Sequence, residues 1–282
     1  MNFPTDSQFF FNSAKGRIHY RLYRHAEESN VLCILPGFSF PASVFHHLAT
    51  ELQKKGNNAI VVDYWGRGYT SPPKENDYSL ESNKNLVISL LEHLNISKCT
   101  FIGFSYGCAI VSLIAETKIE LVNKIVLISP FQCDDRPMTL LQQFVLAAPI
   151  KGPMIFKVSA KTSIPETLRS KISDNTNKEE IIGNLAPVCI KHANERGREI
   201  SKSVVSFDFY AVEKAIAGLA DINKQILVIC GSDDKLVNAT TCQNWWFHWV
   251  PNSTFNIVQN SGHLVFLEQT DECVKEIEKF VK

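Results

Sequence analysis

Short runs of apolar, β-branched residues alternate along the chain with longer segments whose apolar positions recur at helical spacing. A short apolar run suits a strand covered on both faces, whereas recurrence at i, i+3 and i+4 suits an amphipathic helix. Strands that alternate with helices favour βαβ units and a parallel sheet. The predicted strands cover residues 17–24, 31–35, 58–63, 98–104, 124–129, 225–230 and 254–259, the first of them antiparallel and at an edge. The predicted helices cover residues 79–94, 106–117 and 271–281.

The stretch from residue 131 to residue 218 interrupts this alternation. It has no strand-like run, only helix-like pieces separated by prolines, which are Pro137, Pro149, Pro153, Pro165 and Pro187. So long a segment cannot be a simple loop in a compact domain. We therefore expect a helical cap at 131–218, inserted into a core formed by 1–130 and 219–282. Its apolar part, residues 140–158, is expected either to pack the cap onto the core or to line an apolar acyl pocket.

The motif Gly103-Phe104-Ser105-Tyr106-Gly107 stands between a predicted strand and a predicted helix. In that setting Gly-x-Ser-x-Gly is typical of a sharp turn that raises a nucleophilic serine above the carboxyl edge of a sheet. The beginning of the helix supplies N–H groups and positive potential for an oxyanion. We predict that Ser105 is a nucleophile and that the Tyr106 N–H is one oxyanion donor; the alternative is an ordinary tight turn.

A serine hydroxyl is a weak nucleophile, so it needs a base and an acid that orients the base. His263 directly follows the last predicted strand, where a loop could carry its imidazole over the sheet edge. Asp233 and Asp234 follow the preceding strand, and Asp234 is preferred because it has the usual Gly-x-x-Asp-x-x-Val spacing. Asp134 and Asp135 are a third option for the acid, since they come shortly after an earlier strand.

A second oxyanion donor is expected after the strand at 31–35, in Leu35-Pro36-Gly37-Phe38. A flexible Gly37 would let the Phe38 N–H turn inward. Many proteins with this kind of site have His-Gly where Pro36-Gly37 stands here. Because the donor is a backbone group, the change removes a supporting side chain and keeps the hydrogen bond. The alternative is a turn that only ends the strand.

These stretches, in this order from Val31 to the C-terminus, resemble the α/β-hydrolase superfamily, in its esterase/lipase-like branch with a helical cap after the sixth strand. The segment 63–71, Asp-Tyr-Trp-Gly-Arg-Gly-Tyr-Thr-Ser, resembles the turn after the family's fourth strand, which is structural in most members. The resemblance implies an α/β fold with a mostly parallel central sheet, helices on both faces and a cap. It implies a serine hydrolase with a Ser105-Asp234-His263 triad and no cofactor.

The same comparison of motifs argues against the activities of some branches of the superfamily. Haloalkane dehalogenases and epoxide hydrolases have Asp where Ser105 stands. Prolyl aminopeptidases usually bind an amine with acidic cap residues, and nothing in the sequence marks the available ones for that task; these are Glu166, Glu179, Glu180 and Glu195. The favoured substrate is a small-molecule carboxylic ester with an apolar acyl group. A thioesterase, an amidase, a C–C bond hydrolase and a non-catalytic binding protein stay open.

Charge and cysteine usage narrow the setting. Lys plus Arg and Asp plus Glu both number 29, and no basic run is present, so a nucleic-acid partner is not expected. The eight cysteines form no Cys-x-x-Cys pair and no cluster with histidines, so reduced thiols and no metal are expected. We see no signal peptide and no transmembrane stretch, so the cytoplasm is the expected compartment. Peripheral membrane contact and the oligomeric state stay open.

Overall fold

The structure, a computed structural model, describes residues 7–26, 29–130, 151–206 and 208–282. Within these residues one sheet has the strand order β1-β2-β4-β3-β5-β6-β7-β8. The strands are β1 (Ser7–Ser13), β2 (Gly16–Tyr23), β3 (Val31–Leu35), β4 (Asn58–Val62), β5 (Cys99–Phe104), β6 (Val122–Ile128), β7 (Ile226–Gly231) and β8 (Thr254–Val258). β2 pairs antiparallel with β1 and with β4, and all the other pairs are parallel.

Helices connect the strands and cover the sheet. They are α1 (His46–Lys54), α2 (Leu80–His93), α3 (Tyr106–Thr117), α4 (Lys151–Lys171), α5 (Lys178–Val205), α6 (Phe209–Gly218), α7 (Ala239–Trp249), α8 (Val265–Glu268) and α9 (Thr270–Val281). Helix α2 begins after Ser79, whose hydroxyl accepts the Ser82 N–H at 3.1 Å. Such a cap satisfies one of the N–H groups that lack a partner inside the helix.

Two apolar clusters lie on the two faces of the sheet. Successive strand residues alternate between them, as Cys33 and Ile34 of β3 do. One cluster includes side chains of α2, α3, α6 and α7. The other includes side chains of α1, α8 and α9, together with side chains of α4 and α5. The predicted mostly parallel sheet with helices on both faces is therefore confirmed.

Three sequence expectations need correction. The segment 17–24 is antiparallel but is not the edge strand, because β1 pairs outside it. Pro165 lies inside α4 and Pro187 lies inside α5, so these prolines do not separate helical pieces. Each proline removes one backbone hydrogen bond, and the packing of α4 and α5 on each other outweighs that loss.

Between β6 and β7 the described residues form three helices, α4, α5 and α6. Residues 131–150, with Pro137, Pro149 and most of the apolar stretch 140–158, lie outside the described residues. Val212 and Ile216 of α6 belong to the same apolar cluster as α3. The division into core and cap stays a prediction.

Candidate active site

Ser105 lies between β5 and α3 in a conformation that L-residues rarely adopt, with φ of 50° and ψ of −110°. Such a conformation costs on the order of 1–3 kcal/mol and persists only where the surroundings impose it. Here the Ser105 N–H donates to the Ile128 carbonyl at 2.9 Å, and the Ser105 carbonyl accepts the Cys108 N–H at 2.9 Å. The predicted nucleophile is thus held at the carboxyl end of the central strand.

The two glycines of the motif are required by close approach. A Cβ on Gly107 would lie 2.1 Å from the Leu35 carbonyl oxygen. A Cβ on Gly103 would lie 2.8 Å from the backbone of Cys108. Small residues at these positions therefore let β5, α3 and the end of β3 meet around Ser105.

Asp234 and His263 are brought together from two neighbouring strand ends. Asp234 Oδ2 lies 2.8 Å from His263 Nδ1, and both side chains are buried. The other carboxylate oxygen, Oδ1, accepts the N–H groups of Leu236 and Val237 at 2.8 and 2.9 Å. A carboxylate oxygen accepts hydrogen bonds, so in this contact the Nδ1–H group of His263 is the donor.

Asp233 has different partners. Its carboxylate accepts from the Ser173 hydroxyl, from the Asn175 side-chain amide at 2.9 Å and from the Ser232 hydroxyl at 2.8 Å. Hydrogen bonds from Ser173 and Ser232 hold the pKa of Asp233 below its usual value. Asp233 thus faces the connection between α4 and α5 rather than the imidazole. The third option for the acid, Asp134 or Asp135, lies outside the described residues.

The loop that carries His263 is fixed from both sides by Glu268, a residue that the sequence reasoning missed. The Glu268 carboxylate accepts three backbone N–H groups at 2.8, 2.8 and 3.0 Å, from Gly262, Ser173 and Leu264. The His263 N–H donates to the Lys171 carbonyl at the end of α4, at 2.7 Å. Burial raises the pKa of Glu268, although these three N–H groups favour its charged form. No local pattern marks Glu268, because its partners are backbone groups.

The serine turn and the histidine loop meet at the same edge of the sheet. The Phe104 ring centroid lies 5.2 Å from the His263 imidazole centroid. The Ser129 hydroxyl donates to the His263 carbonyl at 3.1 Å. Within the described residues no hydrogen bond joins the Ser105 hydroxyl to His263. Catalytic hydrogen bonds often tighten only when substrate binds.

The predicted oxyanion residues Phe38 and Tyr106 are neighbours, with perpendicular rings whose centroids lie 5.3 Å apart. We name residues 36–39 the oxyanion loop. Arg67 Nε donates to the Phe38 carbonyl at 2.8 Å, and the Arg67 guanidinium carbon lies 5.0 Å from the Phe38 ring centroid. Gly37 does not have positive φ, and a Cβ there would lie 2.9 Å from the Phe104 ring. Gly37 is thus needed for space rather than for flexibility, and the direction of the two N–H groups stays a prediction.

The turn at 63–71 supports the oxyanion loop. Asp63 Oδ2 lies 2.6 Å from His19 Nδ1, and Asp63 Oδ1 accepts the Ala42 N–H at 2.6 Å. Burial acts to raise the pKa of Asp63, but these hydrogen bonds and the His19 charge outweigh burial and lower it. Gly68 has φ of 48°, and a Cβ there would overlap the Asp63 carboxylate. This turn is structural, as the resemblance implies, and it presents Arg67 to Phe38.

In the described ranges no three His, Cys, Asp or Glu side chains are grouped so that they could hold a metal ion. None of the helices in those ranges is long and apolar enough to cross a membrane.

Known proteins resemble this chain over almost its whole length. A family model for the alpha/beta hydrolase fold matches residues 30–151. The uncharacterized hydrolase YugF of Bacillus subtilis is 24% identical over 94% of both chains. A proline iminopeptidase of Lactobacillus helveticus is 21% identical over 93% of both chains. A thermophilic esterase from Thermogutta terrifontis, 17% identical, superposes with a TM-score of 0.77 over 98% of both chains.

The sheet order, the turn at Ser105 and these matches agree with one another. The chain has the α/β-hydrolase fold, and the family match over residues 30–151 supports its place in that superfamily.

Proposed function

We propose that this protein is a serine hydrolase that cleaves a small-molecule carboxylic ester through an acyl-enzyme on Ser105. The observation that carries the proposal is the buried Asp234–His263 pair, 2.8 Å apart, at the sheet edge where Ser105 is held in a strained turn. A nucleophile, an imidazole and a carboxylate that orients the imidazole are the groups that acyl transfer requires.

Each residue of the site has one role in the proposed reaction. Ser105 Oγ attacks the ester carbonyl carbon while His263 Nε2 accepts the hydroxyl proton. The Asp234 carboxylate holds the Nδ1–H tautomer and stabilises the imidazolium that forms. The N–H groups of Phe38 and Tyr106 stabilise the tetrahedral oxyanion. His263 then gives its proton to the departing alkoxide, which leaves the acyl-enzyme. In the second half of the reaction His263 deprotonates a water molecule, which attacks the acyl-enzyme. His263 returns the proton to Ser105 as the carboxylic acid leaves.

An apolar acyl group suits the residues around the serine. The half-buried Phe38 ring contacts Tyr106 next to Ser105, and the buried Phe104 ring contacts His263. The similarity to a thermophilic esterase supports an ester as the substrate. The seven described cysteines are buried free thiols, which supports the cytoplasm as the compartment.

An aminopeptidase is the second candidate, because the Lactobacillus helveticus proline iminopeptidase matches 93% of the chain. Such an enzyme needs a carboxylate near the serine to bind the substrate amine. Glu179 accepts two hydrogen bonds from Arg169, at 3.0 and 2.9 Å, on the protein surface. Glu166, Glu180 and Glu195 are exposed as well. We therefore favour the ester.

The test combines covalent labelling with turnover. We expect a fluorophosphonate to label the protein on Ser105 and p-nitrophenyl esters of increasing acyl length to be hydrolysed. Ser105→Ala should lose both, while Ser89→Ala, a substitution on α2, should lose neither. Labelling that persists in Ser105→Ala would overturn the nucleophile.

Two other results would replace the proposed reaction. Faster cleavage of prolyl p-nitroanilide than of every ester would make the protein a peptidase. A wild-type protein without label or turnover that retains a ligand on purification would be a binding protein. Faster turnover of a thioester or of a C–C substrate than of the esters would identify the protein as a thioesterase or as a C–C bond hydrolase.

A further inference from the structure

Helix α5 of the inserted segment contacts the oxyanion loop through one buried side chain, His192. The imidazole is 4% exposed and forms a hydrogen bond with each of its nitrogens. Its Nε2 atom accepts the Gly68 N–H at 3.0 Å, and its Nδ1 atom lies 3.0 Å from the Ser39 carbonyl oxygen. These partners lie 124 and 153 residues away along the chain.

The two partners fix one tautomer. The Gly68 N–H can only donate, so Nε2 must carry a lone pair. The Ser39 carbonyl can only accept, so Nδ1 must carry the proton. His192 is therefore neutral, and it joins the turn at 63–71 to the oxyanion loop as a donor at one end and an acceptor at the other.

His192 completes a second attachment of this loop. Arg67 already donates to the Phe38 carbonyl at 2.8 Å, so two successive carbonyls, those of Phe38 and Ser39, are held by two different side chains. One comes from the turn after β4 and the other from the inserted helix. The peptide groups on either side of Ser39 are thereby held. The peptide group that carries the Phe38 N–H is held as well, because the Phe40 N–H donates to the Gly37 carbonyl at 3.3 Å.

The same helix is anchored to the turn independently of the loop. Arg196 lies one helical turn after His192 and donates through Nε to the Gly68 carbonyl at 3.1 Å. A Cβ on Gly66 would lie 2.5 Å from the Glu199 side chain, so the helix packs closely on this turn. Arg196 bonds to the turn but not to the oxyanion loop. A variant at Arg196 therefore weakens the attachment of the helix to the turn without removing a hydrogen bond to the loop.

We propose that His192 is a positioning residue for the oxyanion hole, through which the inserted helix sets the place of the Phe38 N–H. This inference rests on the proposed function. The side chain touches neither Ser105 nor His263 among the contacts of the described residues, and it acts on the reaction only through the loop. Its removal should weaken the binding of the transition state more than the binding of the substrate.

The test compares His192→Phe, which keeps the ring volume and removes both hydrogen bonds, with Arg196→Met on the same helix. For His192→Phe we expect kcat to fall roughly 10- to 100-fold and KM to change less than about 3-fold. The inhibition constant of an alkyl trifluoromethyl ketone, which forms an oxyanion with the serine, should rise by the same factor as kcat/KM falls. Arg196→Met should lower Tm but change both quantities less than about 3-fold. His192→Asn, whose amide can still donate to Ser39, should recover part of the loss and serves if the Phe variant does not fold.

The outcomes separate this inference from the proposed function. If the wild-type protein hydrolyses esters but His192→Phe keeps its trifluoromethyl ketone affinity, the positioning role is wrong and the proposed function stands. If Arg196→Met raises the inhibition constant as much as His192→Phe does, the attachment of the helix to the turn at 63–71 explains the effect. His192 then has no positioning role of its own. If the wild-type protein neither turns over esters nor is labelled on Ser105, the proposed function itself fails.

Discussion

Asp233 and Asp234 are adjacent in the sequence, yet only Asp234 contacts the imidazole of His263. In Asp234→Asn the amide would donate to Nδ1, so the proton would move to Nε2 and the base would lose its lone pair. We expect kcat for a p-nitrophenyl ester to fall about 10³- to 10⁴-fold with little change in KM. Asp233→Asn weakens hydrogen bonds to Ser173 and Asn175 and should change kcat less than about 10-fold. Equal losses in the two variants would contradict these roles.

A second prediction at the scale of single residues concerns Glu268. Glu268→Gln leaves one acceptor oxygen where three N–H groups converge on a carboxylate, so the loop around His263 should loosen. We expect the free energy of unfolding to fall by about 2 kcal/mol and kcat to fall with it, by roughly 10-fold. Denaturant unfolding and ester turnover measure the two effects. The control is Glu272→Gln, because Glu272 pairs on the surface with Lys275 and should leave both quantities unchanged. A Glu268→Gln variant as stable and as active as that control would show that Glu268 does not support the loop around His263.

At the scale of elements, the approach of α3 to β3 depends on Gly107. A Cβ there would lie 2.1 Å from the Leu35 carbonyl oxygen, and backbone cannot move aside as a flexible side chain can. We expect Gly107→Ala to destabilise the fold by about 2–4 kcal/mol and to displace Ser105. Gly183 of α5 is the matched control, since nothing lies within 4 Å of a Cβ built there. Gly183→Ala should stabilise the protein by up to about 1 kcal/mol. Urea unfolding of both variants is the measurement, and a Gly107→Ala variant of wild-type stability would contradict the close approach.

The contact of α5 with the turn at 63–71 should depend on pH. Burial and the nearby Arg67 charge lower the pKa of His192 from its ordinary value to about 4, while Asp63 acts in the opposite direction. The unfolded chain therefore binds a proton at a higher pH than the folded chain does. The resulting stability is fully present above pH 6.5 and is lost as the pH falls toward 4, at roughly 1.4 kcal/mol per unit. His192→Asn removes the titrating group, so its urea midpoint should fall less steeply between pH 6.5 and 4 than that of the wild-type protein. Parallel slopes would mean that His192 does not contribute.

Much of this arrangement is visible in local sequence. The predicted strand at 98–104 and the helix at 106–117 match β5 and α3, because apolar runs and glycines at a strand–helix junction leave few alternatives. Strand β1 was missed, since its run of three phenylalanines does not alternate, and α7 was missed as well. The choice between Asp233 and Asp234 rested on spacing alone, because their partners Ser173 and His263 come from distant parts of the chain. The bonds of His192 had no local signal for the same reason.

At the scale of the whole molecule, helices α4 and α5, which lie between β6 and β7, share an apolar cluster with the sheet. Leu168 of α4 and Leu185 of α5 belong to the cluster that contains Phe104, the residue before the proposed nucleophile. Side chains from the insertion are thus part of one apolar layer that reaches the site. Because α4 and α5 pack on the sheet through this cluster, the helices and the sheet stabilise each other. We therefore expect this insertion and the sheet to unfold together.

The positions of the tryptophans allow this cooperativity to be tested. The four tryptophans all lie outside residues 131–218, so their fluorescence reports on the core. The far-ultraviolet circular dichroism includes a large contribution from α4 and α5, which have 21 and 28 residues. Leu185→Ala removes a buried side chain from the shared cluster and should lower the free energy of unfolding by about 2–4 kcal/mol in both signals, with coincident midpoints. Val188→Ala, on the exposed side of the same helix, should change it by less than about 0.5 kcal/mol. A circular dichroism transition of Leu185→Ala that precedes an unshifted fluorescence transition would show that the insertion melts on its own. In that case the sheet and the proposed triad would keep their structure without α5, and the dependence of the oxyanion loop on His192 would have to appear in activity without any loss of core stability.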